Sequence, residues 1–185
     1  MHYLHKILVY IPDVISDQCD EMTREEKMDA VRRHADEQTS EYYGSVFDWR
    51  ETDCAGRWSS EYPQNVIFAA DDIDRFVDQI KCALVSQREY IDFCLKHLKD
   101  SVGTDLEAIV KGELDRKEYG DTGNGFNSMT SFFLQIISAL LHGNYQSESL
   151  IYNSHKYTSR LFPDDIESIR QEPEKWAMVM FDCHN

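Results

Sequence analysis

The stretch WAMVMF at residues 176–181 predicts a closing strand, and it decides the fold together with a second stretch far upstream. Residues 3–11, YLHKILVYI, alternate and are rich in β-forming side chains, so they predict an opening strand that ends at Pro12. Helical patterns occupy most of the sequence between these two strands. We therefore expect the two terminal strands to pair within one sheet that the helices cover.

Five helices are predicted between these strands, and two of them open with a capping box, a threonine followed three residues later by a glutamate. The second helix has the strongest helical period, over residues 73–98. Residues 129–141 are apolar around most of the helix circumference, which predicts a largely buried helix closed by Gly143. The five helices are expected to begin near Thr23, Asp71, Thr104, Ser128 and Pro163.

Short apolar stretches at residues 45–49, 65–70 and 150–152 predict three further strands. The predicted element order is β-α-β-β-α-α-α-β-α-β, without an internal repeat or a low-complexity linker. We therefore expect residues 1–185 to form a single α+β domain. Its sheet should be small, mixed or antiparallel, with the terminal strands paired and about five covering helices.

The charge is strongly negative. Nineteen Lys and Arg residues stand against 34 Asp and Glu residues, which gives a formal net charge of −15. Direct binding to nucleic acid is disfavoured, because no basic stripe is present to replace the counterions of a phosphate backbone. Two explanations of the charge stay open. It serves solubility, or it forms an acidic face that docks on a protein partner such as a basic nucleic-acid-binding protein.

The cysteines and the apolar runs point to a cytoplasmic protein that does not enter a membrane. The five cysteines include no C-x-x-C pair, as expected in a reducing compartment. Cys82 and Cys94 fall inside a helical pattern and are predicted to be small buried apolar residues. No apolar run approaches the roughly 20 residues of a membrane helix, and the first residues lack the pattern of a signal peptide.

One candidate site surrounds a turn that is rich in aromatic residues. Asp48-Trp49 is followed within a few residues by Gly56-Arg57-Trp58. An arginine between aromatic rings suits an anion or a carboxylate, so Trp49, Arg57 and Trp58 are candidate binding residues. The alternative is a structural turn anchored by the tryptophans, in which Asp48 pairs with Arg57.

A second candidate is the segment FDCH that follows the closing strand. If the strand continues, Asp182 and His184 project from the same face, because strand side chains alternate. With Asp48 they are candidate catalytic residues, and Asp182 and His184 are candidate ligands of a divalent metal. The alternative is a set of ordinary polar residues. His2 and His5 are expected to point to opposite sides of the opening strand.

The glycine-rich loop at residues 119–126 is a third candidate, since it is expected to precede a helix N-terminus, where free amides attract anions. Its spacing matches neither the phosphate-binding loop nor the dinucleotide fingerprint. A flexible connection is the better interpretation. No cofactor is indicated by the sequence.

Three short pieces, F-D-W at residues 47–49, G-R-W at 56–58 and D-C-H at 182–184, together carry a resemblance. The chain resembles small phage- and prophage-associated proteins that share a D-W-x-x-x-G-G-R-W core and end in V-D-x-H. Here Ala55 stands in place of the first glycine, and the turn is longer. The resemblance implies a small α+β fold and an origin in a mobile element, and it implies no particular activity.

Three hypotheses of function follow. The first is an acidic phage-type binding protein that docks on and inhibits a host protein, such as a nucleic-acid-handling or defence protein. The second is a metal-assisted hydrolase of a phosphate-containing small molecule, which uses Asp48, Asp182 and His184 as ligands or acid–base groups and Arg57 for the anion. The third is a self-associating protein whose interface is the apolar helix at residues 129–141.

Overall fold

The computed structural model describes residues 1–15, 22–102, 107 and 129–185. This part of the chain forms an α+β fold with one mixed sheet of five strands and four helices of nine residues or more. The strands are β1 His2–Tyr10, β2 Trp49–Glu51, β3 Val66–Phe68, β4 Ile151–Asn153 and β5 Trp176–His184. The helices are α1 Arg24–Ser40, α2 Ile73–Val102, α3 Met129–His142 and α4 Pro163–Gln171.

The closing strand β5 lies at the centre of the sheet. It pairs antiparallel with β1 along its whole length, which confirms that the terminal strands meet. On the other side of β5, β3 pairs with residues 177–179 and β2 with residues 182–184, both antiparallel. The strand β4 extends the sheet at the far side of β1, with which it pairs in parallel. Residues 176–183 are buried without interruption, as expected for a strand that is covered on both faces.

Alternation along β5 divides the interior into two cores. Val179 and Phe181 face α1, whose buried side chains include Val31 and Ala35. Met178 and Met180 face the opposite way and pack in a cluster with residues of α2 and α4. The capping box at the start of α1 is present, with Thr23 accepting from the Glu26 amide at 3.3 Å. The helix thereby begins where the sequence predicted it.

A third cluster joins the second half of α2 to α3. Cys94 and Leu98 of α2 pack against Phe133, Ile136 and Leu140 of α3, so the two helices form a packed pair. Gly143 ends α3 with a φ of +75°, a conformation that glycine adopts readily. The predicted helix near Thr104 and the glycine-rich loop at 119–126 lie outside the described residues, except for Glu107.

Some predictions were wrong in detail. The strand expected at residues 45–49 is shifted to Trp49–Glu51, because Val46 and Phe47 are buried in the turn that precedes β2. Cys82 is exposed, whereas Cys94 is buried as predicted. Position 82 lies two residues from the buried Ile80, which on a helix is nearly the opposite side. None of the described helices is long and apolar enough to cross a membrane.

Candidate functional site

Three strand ends meet at one corner of the sheet and place the candidate residues together. His2 of β1 lies opposite His184 of β5, and Trp49 of β2 lies opposite His184 on the other side. The three side chains therefore form one row across the sheet. Asp182 lies on the same face of β5, one alternation inward from His184. We call His2, Asp48, Asp182 and His184 the corner site.

The buried member of the corner site is Asp182, which is only 1% exposed. One of its carboxylate oxygens lies 2.7 Å from Nδ1 of His2. The other oxygen accepts a hydrogen bond of 3.0 Å from the backbone N–H of Arg57. Since a buried carboxylate without partners would be very unfavourable, these two contacts explain how an acidic side chain is tolerated in the interior.

Glycine is required at position 56 because the turn at Gly56–Trp58 passes directly over Asp182. A Cβ at residue 56 would lie 2.5 Å from the Cβ of Asp182, and the φ of Gly56 is +51°. Both the missing side chain and the left-handed conformation are therefore needed. Trp58 packs against the cluster on the α2 face, so it anchors the turn in the core.

The second pair of the corner site joins His184 to Asp48. Nδ1 of His184 lies 2.7 Å from Oδ1 of Asp48, and the Asp48 N–H donates to the His184 carbonyl at 2.9 Å. The backbone contact continues the ladder between β2 and β5, so it places the two side chains next to each other. The hydrogen bond with His184 lowers the pKa of Asp48 below its usual range.

The two imidazoles have the same arrangement and lie close together. Each contacts a carboxylate through Nδ1, which favours the tautomer that has its proton on Nδ1 and leaves Nε2 as an acceptor. The ring centroids are 5.0 Å apart, and the Trp49 ring lies 6.1 Å from that of His2. A histidine oriented by a carboxylate is suited to general acid–base catalysis, and the same arrangement is found around metal-binding histidines.

Each oxygen of the buried Asp182 already has one contact, with His2 or with the Arg57 N–H, so a metal could use only the remaining lone pairs. Within residues 1–15, 22–102, 107 and 129–185, no group of three or more His, Cys, Asp and Glu side chains is placed to hold a metal ion. Among the described residues, Nε2 of His2 and Nε2 of His184 have no hydrogen-bond partner, whereas both Nδ1 atoms contact a carboxylate.

Most of the residues that the sequence singled out lie at this corner, although their pairing differs from what was expected. The hypothesis that Asp48 pairs with Arg57 was wrong, because Asp48 pairs with His184. Arg57 contributes its backbone N–H to Asp182, and its side chain is exposed. His2 was missed, because the sequence predicted that the terminal strands pair without giving their relative direction, and the observed antiparallel pairing places His2 opposite His184.

A second histidine of β1 has a structural role. His5 is fully buried on the α1 face, where Nε2–H donates to the Ser147 carbonyl at 3.0 Å and Nδ1 accepts from the Tyr145 hydroxyl at 2.6 Å. Burial lowers the pKa of His5 to about 4. As predicted, His2 and His5 lie on opposite faces, so only His2 belongs to the corner site.

Residues 47–49 and 56–58, and the distant residues 182–184, all lie in or against the corner site. Pieces separated by more than a hundred residues thus form one structural unit. The function has to be argued from this site, because a fold alone does not determine an activity. Comparison of the chain with protein-family models, curated proteins and solved structures found no match.

Proposed function

We propose that the chain is a hydrolase of a phosphate-containing small molecule and that His2 and His184 are its acid–base groups. One observation carries this proposal: two imidazoles lie 5.0 Å apart, each contacting a carboxylate through Nδ1. Two histidines that can exchange the roles of base and acid are suited to the displacement of one phosphate oxygen by another.

His2 is the better general base, because its partner Asp182 is buried and held by Arg57. Its Nε2 removes a proton from water as the water oxygen forms a bond to phosphorus. The bond from phosphorus to the leaving oxygen breaks, and the protonated His184 donates the proton of Nε2 to that oxygen. Asp48 stabilises the positive charge that His184 carries before this step.

Arg57 supplies the cation that the phosphate requires. Its backbone is held against Asp182 of the corner site, and the residue is exposed. Arginine binds phosphate oxygens through charge-assisted hydrogen bonds. In a metal-assisted reaction the Nε2 atoms of the two histidines would hold the metal in place of their acid–base roles.

The proposal is tested by hydrolysis of p-nitrophenyl phosphate, bis-p-nitrophenyl phosphate and a panel of nucleotides, with a chelator or with added Mn²⁺ or Zn²⁺. We expect the His2→Asn and His184→Asn variants each to lose about 100-fold or more in rate. His155→Asn is the matched control, because His155 also pairs with an aspartate, Asp13, at 2.6 Å, near the opposite end of β1. Equal activity in all three variants, or none in the wild type, would refute the proposal.

A second candidate function is the acidic binding protein that inhibits a host protein. It is favoured by two exposed aromatic side chains, Tyr43 at 67% and Trp49 at 46%, on a chain of net charge −15. Exposed aromatic residues are frequent anchors of protein interfaces. Affinity capture from bacterial lysate treated with nuclease tests this function. A stoichiometric partner that high salt releases, and that Trp49→Ala does not retain, would support it.

A further inference from the structure

An open cavity of about 340 Å³ lies beside the Asp48–His184 pair. Its volume is at the lower end of the roughly 300–1,000 Å³ that small-molecule sites occupy. Asp48 belongs to both features, since its Oδ1 contacts His184 while the residue also lines the cavity. The lining residues are Ser40, Tyr43, Phe47, Asp48, Trp49 and Arg50.

One wall of the cavity is rigidly held by Arg50. Its guanidinium donates to Oγ1 of Thr39 at 2.7 Å and to Oγ of Ser40 at 3.0 Å, and it forms an ion pair with Asp36. The same group lies 4.7 Å from the centroid of the Phe47 ring. Because these contacts come from α1, β2 and the turn between them, this wall is formed before any ligand arrives.

The aromatic lining favours a flat ligand. Tyr43 and Trp49 line the cavity, and both are exposed, at 67% and 46%. Exposed aromatic faces of this kind are suited to stacking on a planar ring, and stacking of nucleobases on aromatic side chains is independent of base identity.

The negative charge of Asp48 determines which planar ligands the cavity can bind. The hydrogen bond with His184 lowers the pKa of Asp48, so this carboxylate is ionised at neutral pH and accepts hydrogen bonds. A ring that bears an amino group can donate to it, as cytosine does to acidic side chains. A ring that bears a carboxylate would be repelled.

We propose that this cavity binds the amino-bearing base of a nucleotide and that the phosphate of the same nucleotide lies at the corner site. This inference rests on the proposed function for the phosphate, and it narrows the substrate class from phosphate-containing molecules to nucleotides of adenine, guanine or cytosine. Asp48 contacts the His184 imidazole and also lines the cavity, so a base bound to Asp48 would lie next to that imidazole. The sugar and the phosphate would then extend towards the corner site.

Calorimetry can measure ligand binding without any hydrolysis. The ligands are adenosine, guanosine and cytidine, which carry a base and no phosphate, and ribose 5-phosphate, which carries a phosphate and no base. We expect at least one of the three nucleosides to bind, and Tyr43→Ala and Trp49→Ala each to weaken its binding about tenfold. Tyr157→Ala is the matched control, because Tyr157 is 70% exposed and follows β4 at the other end of the sheet. Circular dichroism verifies that each variant is folded.

The outcomes separate this inference from the proposed function. Nucleoside binding that depends on Tyr43 and Trp49, without hydrolysis of any nucleotide or p-nitrophenyl phosphate, would uphold base binding in the cavity and overturn the proposed function. If none of the nucleosides binds at millimolar concentration, or if both cavity variants bind them as tightly as the control, the inference is wrong. Tetramethylammonium, a cation without a planar ring, serves as a further probe. If it binds in the cavity and the nucleosides do not, the aromatic residues form a cation site and the inference is wrong.

Discussion

Substitution of Gly56 by alanine tests the architecture of the corner site most directly. The new Cβ would lie 2.5 Å from the Cβ of Asp182, which belongs to the buried central strand and cannot move freely. The φ of Gly56, +51°, adds backbone strain. Gly44 offers a matched control, because its φ is +80° and a Cβ there would meet nothing within 4 Å. The two substitutions share the backbone strain and differ in the contact with Asp182.

The expected decrease in unfolding free energy follows from the backbone strain and from the contact with Asp182. A left-handed backbone costs a residue with a Cβ about 1–2 kcal/mol, so Gly44→Ala should lower the free energy of unfolding by about that amount. Gly56→Ala pays the same strain and also displaces Asp182 from the Arg57 N–H and from His2. Each hydrogen bond to a charged group contributes about 1.5–3 kcal/mol. We therefore expect a total of about 4–8 kcal/mol for Gly56→Ala, since one strained residue and two hydrogen bonds are involved.

Urea denaturation followed by far-ultraviolet circular dichroism measures both variants under the same conditions. We expect the Gly56 variant to be the less stable of the two by about 3 kcal/mol or more, because only this variant loses the two hydrogen bonds of Asp182. Equal stabilities would show that the turn can move away from Asp182 at little cost, and the close packing described above would then have no energetic importance.

Three further predictions concern single side chains. The unfolding free energy should decrease by up to about 3 kcal/mol as the pH falls from about 6.5 to about 4, because the unfolded chain then binds a proton at His5 that the folded chain does not. Urea denaturation at several pH values should show that the unfolding free energy of His5→Gln changes less with pH than that of the wild type. An equal pH dependence would contradict the assignment of this effect to His5. His184→Gln should raise the pKa of Asp48 towards its usual value, as measured by carboxyl NMR titration, and an unchanged pKa would exclude His184 as the cause. Arg50→Lys should lower the unfolding free energy by about 1–3 kcal/mol in urea denaturation, because lysine cannot make the same set of hydrogen bonds. Arg170→Lys is the control, since the ion pair of Arg170 lies at the surface. An equal decrease for the two variants would contradict this prediction.

The elements that could be predicted from the sequence are those that local patterns determine. The capping box at Thr23 and the glycine after α3 were sufficient to locate the ends of two helices. The shared face of Asp182 and His184 also follows from alternation within one strand. The start of β2 was misplaced, because an apolar run does not distinguish a strand from a buried turn such as the one that holds Phe47.

The site could be predicted only in part, because its pairing depends on register. Asp48 contacts His184 and not Arg57 because β2 is aligned on β5 with Trp49 opposite His184. A shift of one residue would turn every side chain of β2 to the other face. His2 would have been within reach of the sequence argument had the direction of pairing been known, since an antiparallel pair formed by the two terminal stretches brings the first residues of one opposite the end of the other.

The central place of β5 has a consequence for how the molecule folds. β1, β2 and β3 all depend on residues 176–184 for their antiparallel neighbour, so these strands have little to pair with until that late segment joins them. Contacts between segments so distant in sequence require closure of very long loops before they stabilise anything, and proteins dominated by such contacts fold slowly. Helices α2 and α3 are closer in sequence and can associate earlier. Folding is therefore expected to begin in the helical half and to end with the insertion of β5, which is also the step that assembles the corner site.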